Sequence, residues 1–390
     1  MRIAILEITT YGHYTLVESI AKIYAAIPTN EVVIFTTEKG KIALQGIDNE
    51  QIKMIVVNDS MGDFLKSIKG FDKIFIPTLE SYSRIPYQII QIFLKTNFNC
   101  PIYYFIHNVD FWFQQSLSDK ILNIVYRLSD LNDFIYRLKV YFKYASINHK
   151  IVNKVIQSGG KLVALTDSVG NELAKYIGIQ NVAIIPFSIF DGQISDNSSD
   201  NTRLRVCIPG LLNTTRRDYD SIFKLMQENE NSFKSTIIWD FLGGNPQNLE
   251  SQQLIEKIEA YQKMGHDIRF YTEHFLSMQD YDANLSLADV ILGNMHLQQG
   301  ANSVYGKSKE TGIIFTMIKA AKVGILPAEY TVDDALNTSI LTFNRYEDVA
   351  SILKKLLANP AELKQLKIVA RENSEKFTPL SIYNSLEKNK

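Results

Sequence analysis

Short runs of β-branched residues alternate with longer segments of helical period along almost the whole chain. This alternation constrains the fold more than any other feature, because it is typical of βαβ units, in which helices cover a sheet of parallel strands. The strands predicted in the first half are 2–7, 31–35, 53–57, 73–76, 101–106, 161–165 and 182–185. Those predicted in the second half are 204–208, 236–241, 268–271, 290–292, 324–326 and 340–342.

A polar stretch without apolar periodicity separates the two series of strands. The chain has 390 residues, and domains of roughly 100–200 residues are usual, so two domains are expected. The predicted division is a first domain over 1–190, a linker over 191–203, a second domain over 204–375 and a C-terminal helix over 376–390 that packs back on the first domain. Ligands of open α/β sheets bind at the carboxyl ends of strands, so the chemistry is expected in the loops that follow strands.

The balance of charge and the cysteine content exclude several classes of protein. There are 41 Lys and Arg residues against 42 Asp and Glu residues, whereas general nucleic-acid binders carry a clearly basic surface. The two cysteines, Cys100 and Cys207, provide neither a disulfide framework nor a cysteine-based zinc site. No apolar run reaches the roughly 18 residues of a membrane span, and the start lacks the pattern of a signal peptide. We therefore expect a cytoplasmic protein that does not bind nucleic acid.

Common nucleotide-binding motifs are incomplete in this chain. The turn after the first predicted strand, 8–14, contains one glycine, which disfavours a dinucleotide dehydrogenase. The segment 300–308 has five residues between its glycines where a P-loop has four. The Asp-Tyr-Asp triplets at 218–220 and 280–282 are of a type that can hold a divalent metal, but both are predicted in the first turns of helices, where acids complement the helix dipole. No metal site is predicted.

A polar cluster at 305–312 precedes an apolar helix that starts near residue 313. Its lysines, serine and threonine converge on a helix N-terminus, where unpaired N–H groups and the helix dipole favour a phosphate. The alternative is that Lys307 and Lys309 are solvated loop charges.

Two other loops that follow strands have suitable chemistry. The loop 209–219 contains Arg216 and Arg217, and an arginine fork pairs well with diphosphate oxygens. The alternative there is a helix cap by one of the two preceding threonines. Gly243 and Gly244 end the next strand and permit close approach of a ligand to the backbone.

In order and character, these segments resemble the nucleotide-sugar domain of GT-B glycosyltransferases, and among them family four. The second-domain segments that carry the resemblance are the Gly210 loop, Arg216 with Arg217, 242–246, 268–271, 288–292 and 305–327. Those of the first domain are Gly12, 106–108, 165–168 and 184–186. Each motif is short, and their order along nearly the whole chain carries the comparison.

The resemblance implies an α/β fold with two Rossmann-like parallel-sheet domains that face each other across a cleft. It implies transfer of a sugar from a UDP- or GDP-linked donor, bound by the second domain, to a glycan or lipid-linked acceptor, bound mainly by the first. Such enzymes serve in the synthesis of cell-surface polysaccharide or glycoconjugates and need no tightly bound cofactor and no obligatory metal.

The resemblance also implies roles for individual residues. The implied donor-binding residues are Gly12, Gly210, Arg216, Arg217, Gly243, Gly244, Tyr271, Lys307, Ser308, Lys309, Thr311 and Gly312. The implied catalytic residues are His107, Glu310 and Arg217, and the implied acceptor-binding residues are His13 and Asp110. For His107 the alternative is a hydrogen-bonded histidine at the end of a strand.

The chain departs from the family pattern at one point. Family four carries two glutamates seven residues apart, and only Glu310 is available here, without its ribose-binding partner. The family implies retention of anomeric configuration, and the missing glutamate leaves retention and inversion both open. A sugar-nucleotide epimerase, with Glu310 and Asp110 as candidate acid and base, remains an alternative. A catalytically silent partner or carbohydrate-binding subunit is another.

The segment 119–154 is basic and rich in aromatic residues. A helical segment of this kind can lie on an anionic membrane surface, where a lipid-linked acceptor would be found. The alternative is a helix pair whose aromatic side chains pack in the core. The first possibility predicts a protein peripheral on the inner face of the cell membrane.

Overall fold

The computed structural model describes residues 1–8, 13–47, 49–57, 68–78, 90–91, 93–114, 147–194, 203–274, 276–299 and 303–388. The chain divides into two compact units. Unit 1 comprises Met1–Phe187, Gly300–Glu310 and Pro379–Lys390, and unit 2 comprises Ser188–Gln299 and Thr311–Thr378. The segment Gly300–Glu310 therefore groups with unit 1, although the sequence prediction counted it within 204–375. Of the predicted linker, residues 195–202 lie outside the described residues.

Unit 1 contains a seven-stranded parallel sheet in the order β3-β2-β1-β4-β5-β6-β7. The strands are β1 (Arg2–Glu7), β2 (Glu31–Thr36), β3 (Ile52–Val56), β4 (Lys73–Ile76), β5 (Ile102–Phe105), β6 (Lys161–Ala164) and β7 (Val182–Ile184), with a further short strand β13 (Ser303–Val304). The helices, numbered in chain order, are α1 (Tyr14–Ala25), α2 (Glu38–Leu44), α3 (Asp167–Ile177) and α11 (Pro379–Lys388), and residues 147–157 are also helical. Short helical turns cover Gln45–Ile47, Asp110–Gln114 and Ile179–Asn181.

The sequence explains this arrangement locally. Every residue of β4 and β5 is buried, as expected of parallel strands covered by helices on both faces. Thr166 begins α3 by accepting a hydrogen bond from the backbone N–H of Val169, and Gly178 ends it with a φ of 80°, a conformation that favours glycine.

The helix α11 packs against α1 within unit 1. Lys73, only 2% exposed, forms an ion pair with Glu387 of α11, and it also donates to the hydroxyl of Tyr24 over 3.4 Å. A buried cation without such partners would be costly, so Lys73 specifies where the last helix lies.

Unit 2 contains a six-stranded parallel sheet in the order β10-β9-β8-β11-β14-β15. The strands are β8 (Leu204–Pro209), β9 (Ile237–Leu242), β10 (Asp267–Arg269), β11 (Val290–Leu292), β14 (Val323–Pro327) and β15 (Ile340–Phe343), with a further short strand β12 (Gln298–Gln299). The helices are α4 (Tyr219–Glu228), α5 (Glu230–Phe233), α6 (Leu249–Lys263), α7 (Met278–Ser286), α8 (Gly312–Ala320), α9 (Tyr346–Ala358) and α10 (Pro360–Ser374). Short helical turns cover Asn337–Ser339 and Glu375–Phe377.

Polar residues begin the helices of unit 2 as their sequence suggests. Asp218 caps α4 by accepting from the backbone of Ser221, and Ser277 caps α7 by accepting from the backbone of Asp280. The prediction that both Asp-Tyr-Asp triplets lie at helix N-termini is therefore confirmed. Trp239 and Phe241 of β9 are fully buried in the core, where each side chain contributes about 1.5–3 kcal/mol or more to stability.

The predicted fold class is confirmed: the chain forms two parallel-sheet α/β units. Among the described residues, no helix is both long enough and apolar enough to cross a membrane. Most of the predicted membrane-surface segment, residues 119–146, lies outside the described part of the chain.

Candidate functional site

In unit 2, the guanidinium of Arg217 lies over the carboxyl end of β8. Gly210 follows that strand with a φ of 116°, and a Cβ at this position would overlap Nη2 of Arg217. Glycine is therefore required here both by its backbone conformation and by the close approach of the cation. A fixed positive charge thus occupies the edge of the sheet at which α/β proteins bind ligands.

Arg216 and Arg217, both predicted to bind the donor and only Arg217 predicted to be catalytic, differ in the structure. Arg216 is exposed, whereas Arg217 is half-buried. Arg217 also pairs with Met295 in an antiparallel bridge, and the backbone N–H of His296 donates to the carbonyl of Arg216 over 3.1 Å. The arginine loop is therefore held by its main chain against the loop that follows β11.

The charge of Arg217 acts on buried tyrosines of unit 2. Burial raises the pKa of Tyr219 to about 12, and Arg217 opposes that rise. Burial also raises the pKa of Tyr281, again with Arg217 acting in the opposite direction. The hydroxyl of Tyr281 hydrogen-bonds Thr316 of α8 at 3.1 Å.

Gly243 is glycine for a reason that the sequence interpretation missed. A Cβ at Gly243 would overlap the carbonyl oxygen of Gly210, so the close approach at this point is that of a neighbouring loop. Gly244 accepts a hydrogen bond from the backbone of Leu212 over 3.1 Å. These two glycines join the loops after β8 and β9, and their part in donor binding stays a prediction.

Tyr271, predicted to line the nucleotide, lies after β10 and is half-buried. Burial, with the charge of Asp240 as the next contribution, raises the pKa of its hydroxyl to about 12. Asp240 forms a buried ion pair with Arg205. Tyr271 is therefore a neutral, partly accessible aromatic side chain beside a buried pair of charges.

The start of α8 has the features expected of an anion site. Thr311 is the N-cap residue, and its hydroxyl accepts from the backbone of Ile313 over 3.4 Å. Gly312 is exposed, and a Cβ there would meet nothing within 4 Å. Gly312, the first residue of this nine-residue helix, is therefore unobstructed on its side-chain side, and the first N–H groups of a helix lack intrahelical partners.

Asn294 is a residue of unit 2 that sequence reasoning missed. It follows β11, is fully buried, and both its Oδ1 and its Nδ2 lack a hydrogen-bond partner in the part of the chain that the structure describes. The one signal in the sequence is a Gly-Asn pair directly after a buried strand. That signal alone does not separate a turn residue from a binding residue.

The predicted phosphate segment 305–312 is divided between the units. Lys307, Ser308, Lys309 and Glu310 belong to unit 1, whereas Thr311 and Gly312 belong to unit 2. In unit 1, Asn108 donates from Nδ2 to Ser303 Oγ over 3.0 Å, and the backbone N–H of Val109 donates to the carbonyl of Ser308 over 2.8 Å. The loop after β5 thus holds this segment.

Residues after β6 make further hydrogen bonds to the segment. The hydroxyl of Thr166 donates to Oε2 of Glu310 over 2.8 Å, and the hydroxyl of Ser168 donates to the carbonyl of Gly306. Gly306 has a φ of 76°, which turns the chain between the two lysines and β13. Glu310, the predicted catalytic acid, is therefore oriented by Thr166.

Asp110, which is predicted to bind an acceptor, contacts Ser308 in the structure. Its carboxylate is fully buried and accepts a hydrogen bond from the hydroxyl of Ser308. Burial raises the pKa of Asp110, while the hydrogen bonds from Ser308 and Ser303 and the charge of Lys307 lower it. The observed contact holds the segment 303–310 in place.

Lys307 and Lys309 differ in exposure. Lys307 is exposed, and Lys309 is half-buried with its Nζ 5.6 Å from the centre of the Tyr305 ring. A cation over an aromatic face is stabilised without losing its charge.

His13 and His107 lie together at the carboxyl edge of the unit 1 sheet. Their ring centres are 4.4 Å apart. Nδ1 of His13 hydrogen-bonds the hydroxyl of Thr78, and Nε2 of His107 donates to the carbonyl of Pro77 over 2.8 Å. That donation assigns the proton of a neutral His107 to Nε2, so its Nδ1 is the acceptor.

Both imidazoles are held in the neutral form. Burial, with a smaller contribution from His107, lowers the pKa of His13 to about 3. Burial also lowers the pKa of His107, the charge of Lys309 acts in the same direction, and the hydrogen bond to Pro77 opposes the shift. Neutral imidazoles can accept hydrogen bonds from hydroxyl groups at neutral pH.

Gly12, predicted to approach the donor, lies outside the described residues. Within the described residues, no group of three or more His, Cys, Asp and Glu side chains is placed to hold a metal ion.

No protein-family model matches the chain, and no curated protein matches it by sequence. Solved structures do match. A glycosyltransferase from Rickettsia africae has a TM-score of 0.64 at 13% identity, with 100% of this chain and 97% of that chain covered. The Anabaena protein HepE, in complex with UDP and glucose, has a TM-score of 0.60 at 12% identity and coverage of 100% and 98%. An α-glucosyltransferase in complex with UDP and a 13-mer DNA has a TM-score of 0.58 at 10% identity and coverage of 100% and 99%.

Identities this low show the fold alone. The chain has the two-domain α/β fold of GT-B glycosyltransferases. Membership of family four is not shown by these likenesses and stays a prediction. The exclusion of nucleic acid also stays a prediction, since one of the similar structures contains DNA.

Proposed function

We propose that the protein is a glycosyltransferase that moves a sugar from a nucleoside-diphosphate sugar to a glycan or lipid-linked acceptor. The observation that carries this proposal is the guanidinium of Arg217, held over Gly210 at the ligand-binding edge of the unit 2 sheet. There it pairs with the donor diphosphate and neutralises the charge that develops on the leaving group. The GT-B fold supports the same activity by analogy.

We assign the diphosphate contact to Arg217 rather than Arg216, because the guanidinium of Arg217 lies over Gly210 at the strand end, whereas Arg216 is exposed. The N–H groups at the start of α8, at Thr311 and Gly312, supply further donors to phosphate oxygens. UDP is favoured over GDP as the nucleotide, since two of the similar structures contain UDP. Tyr271 offers an aromatic face to the base or ribose.

In unit 1, the neutral Nδ1 of His107 accepts a hydrogen bond from a hydroxyl of the sugar or of the acceptor. His13 keeps that imidazole in place through ring contact, and Lys309 adds positive charge near it. Glu310 is the single acid of the family-four pair that the chain carries. Retention of configuration, cytoplasmic location and contact of 119–154 with an anionic membrane belong to this proposal.

Thermal-shift and calorimetric titrations with UDP, GDP and a panel of UDP-sugars test the donor. A ligand at 100 times its dissociation constant stabilises the folded protein by about 2.7 kcal/mol, which is easily seen as a shift in Tm. Wild-type protein and Arg216→Ala should bind UDP, and Arg217→Ala should bind it more weakly. A protein that neither binds nor hydrolyses any sugar nucleotide would overturn the proposal.

Product analysis separates the remaining alternatives. A transferase releases UDP and forms a glycoside whose anomeric proton reports retention or inversion in an NMR spectrum. An epimerase converts the sugar nucleotide without an acceptor, and a silent binding subunit leaves it unchanged.

A further inference from the structure

Asn294 combines full burial with unmet hydrogen-bonding capacity. Neither its Oδ1 nor its Nδ2 has a partner among the described residues, and the side chain is 0% exposed. Among the side-chain amides of the described residues, it is the one whose oxygen and nitrogen are both in this state. Buried polar groups are nearly always hydrogen-bonded, so such a residue requires an explanation.

A structural role in closing the loop does not supply that explanation. The main chain already joins the loops after β8 and β11: the N–H of Asp218 donates to the carbonyl of Asn294 over 2.7 Å, and Arg217 pairs with Met295. These contacts use no atom of the Asn294 side chain. An apolar residue of similar size would keep them without leaving an amide unsatisfied.

The chemistry of an amide indicates what would satisfy it. Oδ1 accepts and Nδ2 donates, so a ligand must offer both a donor and an acceptor. Phosphate oxygens at neutral pH only accept, and they would leave Oδ1 unpaired. Hydroxyl groups donate and accept, and a sugar presents several of them on adjacent carbons.

The position of Asn294 agrees with that chemistry. It follows β11, the strand that lies next to β8 in the sheet, and its neighbour Met295 pairs with Arg217. In a nucleoside-diphosphate sugar, the transferred sugar is attached to the diphosphate. If Arg217 binds the diphosphate, this sugar is therefore next to the bound phosphates. We infer that Asn294 recognises hydroxyl groups of the donor sugar, which makes it a specificity-determining residue of the unit 2 site. This inference rests on the proposed function.

The test compares UDP with UDP-sugars, so that the sugar contact is measured apart from the nucleotide contact. Calorimetry with UDP, UDP-glucose, UDP-galactose and UDP-N-acetylglucosamine identifies the sugar that wild-type protein binds best relative to UDP. In Asn294→Ala and Asn294→Leu, we expect the dissociation constant for UDP to change less than twofold. The advantage of that sugar nucleotide over UDP should fall about tenfold or disappear.

Stability separates recognition from a structural role. Without ligand, Asn294→Leu should have a Tm equal to or above that of wild type, because it removes an unsatisfied buried amide. Asn373→Ala is the matched control: Asn373 is also buried in unit 2, but its Nδ2 donates to Thr338 at 2.9 Å and to Ser339 at 3.0 Å. That variant should lower Tm and keep the sugar advantage.

Several outcomes would overturn the inference. Equal weakening of UDP and UDP-sugar binding would place Asn294 on the nucleotide, and a lowered Tm with the sugar advantage unchanged would make it structural. A wild-type protein that binds UDP but gains nothing from any sugar would contradict the inference alone. A wild-type protein that binds no nucleotide at all would instead refute the proposed function on which it rests.

Discussion

The carboxyl edges of the two sheets carry different chemical groups. In unit 1 the edge carries His13 and His107, both neutral and both hydrogen-bonded within the unit. In unit 2 the edge carries the charge of Arg217 over Gly210 and the unsatisfied amide of Asn294. The unit 1 edge thus presents two neutral imidazoles with the charge of Lys309 near His107, and the unit 2 edge combines a fixed cation with an unsatisfied amide.

This difference bears on the roles that the proposed function gives to the two units. An anionic nucleotide requires positive charge, whereas a neutral sugar hydroxyl requires an acceptor that does not become protonated. Under the proposed function, unit 2 binds the nucleotide and, through Asn294, the donor sugar, and His107 of unit 1 accepts from a hydroxyl of the sugar or of the acceptor. Four experiments test that assignment, from the largest expected effect to the smallest.

The largest effect is expected from His107→Asn. Loss of a side chain that handles a reacting hydroxyl typically costs about 100-fold or more in turnover, so kcat should fall by that factor. The dissociation constant for UDP should not change, because the substitution lies in unit 1. His149→Asn is the control, since His149 is exposed. Weaker UDP binding with normal turnover in His107→Asn would instead place His107 on the nucleotide.

Arg217→Ala should weaken UDP binding by about 1–3 kcal/mol, which is the contribution of a charge-assisted hydrogen bond. Isothermal titration with UDP measures the change. Arg216→Ala lies one residue away and is exposed, so it should bind UDP as wild type does. Lys307→Ala, in unit 1, should have the smaller effect of the two charge deletions. Equal losses of UDP affinity in Arg217→Ala, Arg216→Ala and Lys307→Ala would contradict the assignment of the diphosphate contact to Arg217.

The contact between Asp110 and Ser308 should show coupling in a double-mutant cycle. Residues in direct contact typically couple by about 0.5–3 kcal/mol, and Asp110→Asn with Ser308→Ala should fall in that range in urea unfolding. Asp110→Asn should cost less than Asp110→Ala, because an amide still accepts from the serine hydroxyl. Additive single effects would show that this contact does not hold the segment 303–310.

The pH dependence of stability should reveal the neutral histidines. The folded pKa of His13 is about 3, below the unfolded value of roughly 6.5, so the unfolded state binds more protons between those values. Stability is therefore present above pH 6.5 and is lost as the pH falls, by at most about 1.4 kcal/mol per pH unit for this residue. Urea unfolding at pH 7 and pH 5.5 measures the loss.

His13→Gln should reduce that loss, and the exposed control His149→Gln should leave it unchanged. If His13→Gln has the same slope as wild type, folded His13 takes up a proton between pH 7 and pH 5.5 as readily as unfolded His13 does. Burial would then not keep this imidazole neutral below pH 6.5.

Much of the fold was predictable because its causes are local. The strand β1 over Arg2–Glu7 and the strand β11 over Val290–Leu292 have the bounds that apolar periodicity predicted. Helix starts were equally local, as at Asp218, whose side chain caps a helix that begins at the next residue. Periodicity and capping involve neighbours in sequence, so one chain is enough to recognise them.

For the candidate site, the sequence predicted which loops contribute residues but not which side chains meet. The sequence indicated that chemistry follows the strand ends and selected the arginine pair, the glycine pair, the polar segment 305–312 and His107. It placed both Arg216 and Arg217 on the donor without indicating that only Arg217 lies over Gly210, and it had no signal for the contact between Asp110 and Ser308. It also had no signal for the unsatisfied amide of Asn294. Each of these depends on which residues from distant parts of the chain meet.

The amino-acid sequence by itself determined two series of parallel strands and the loops at their carboxyl ends, because hydrophobic period and turn residues act over a few positions. Only the tertiary structure decided that Gly300–Glu310 groups with unit 1 and that Arg217 lies over Gly210. Those outcomes depend on hydrogen bonds and steric contacts between residues far apart in sequence, such as Thr166 with Glu310, and no local pattern encodes them.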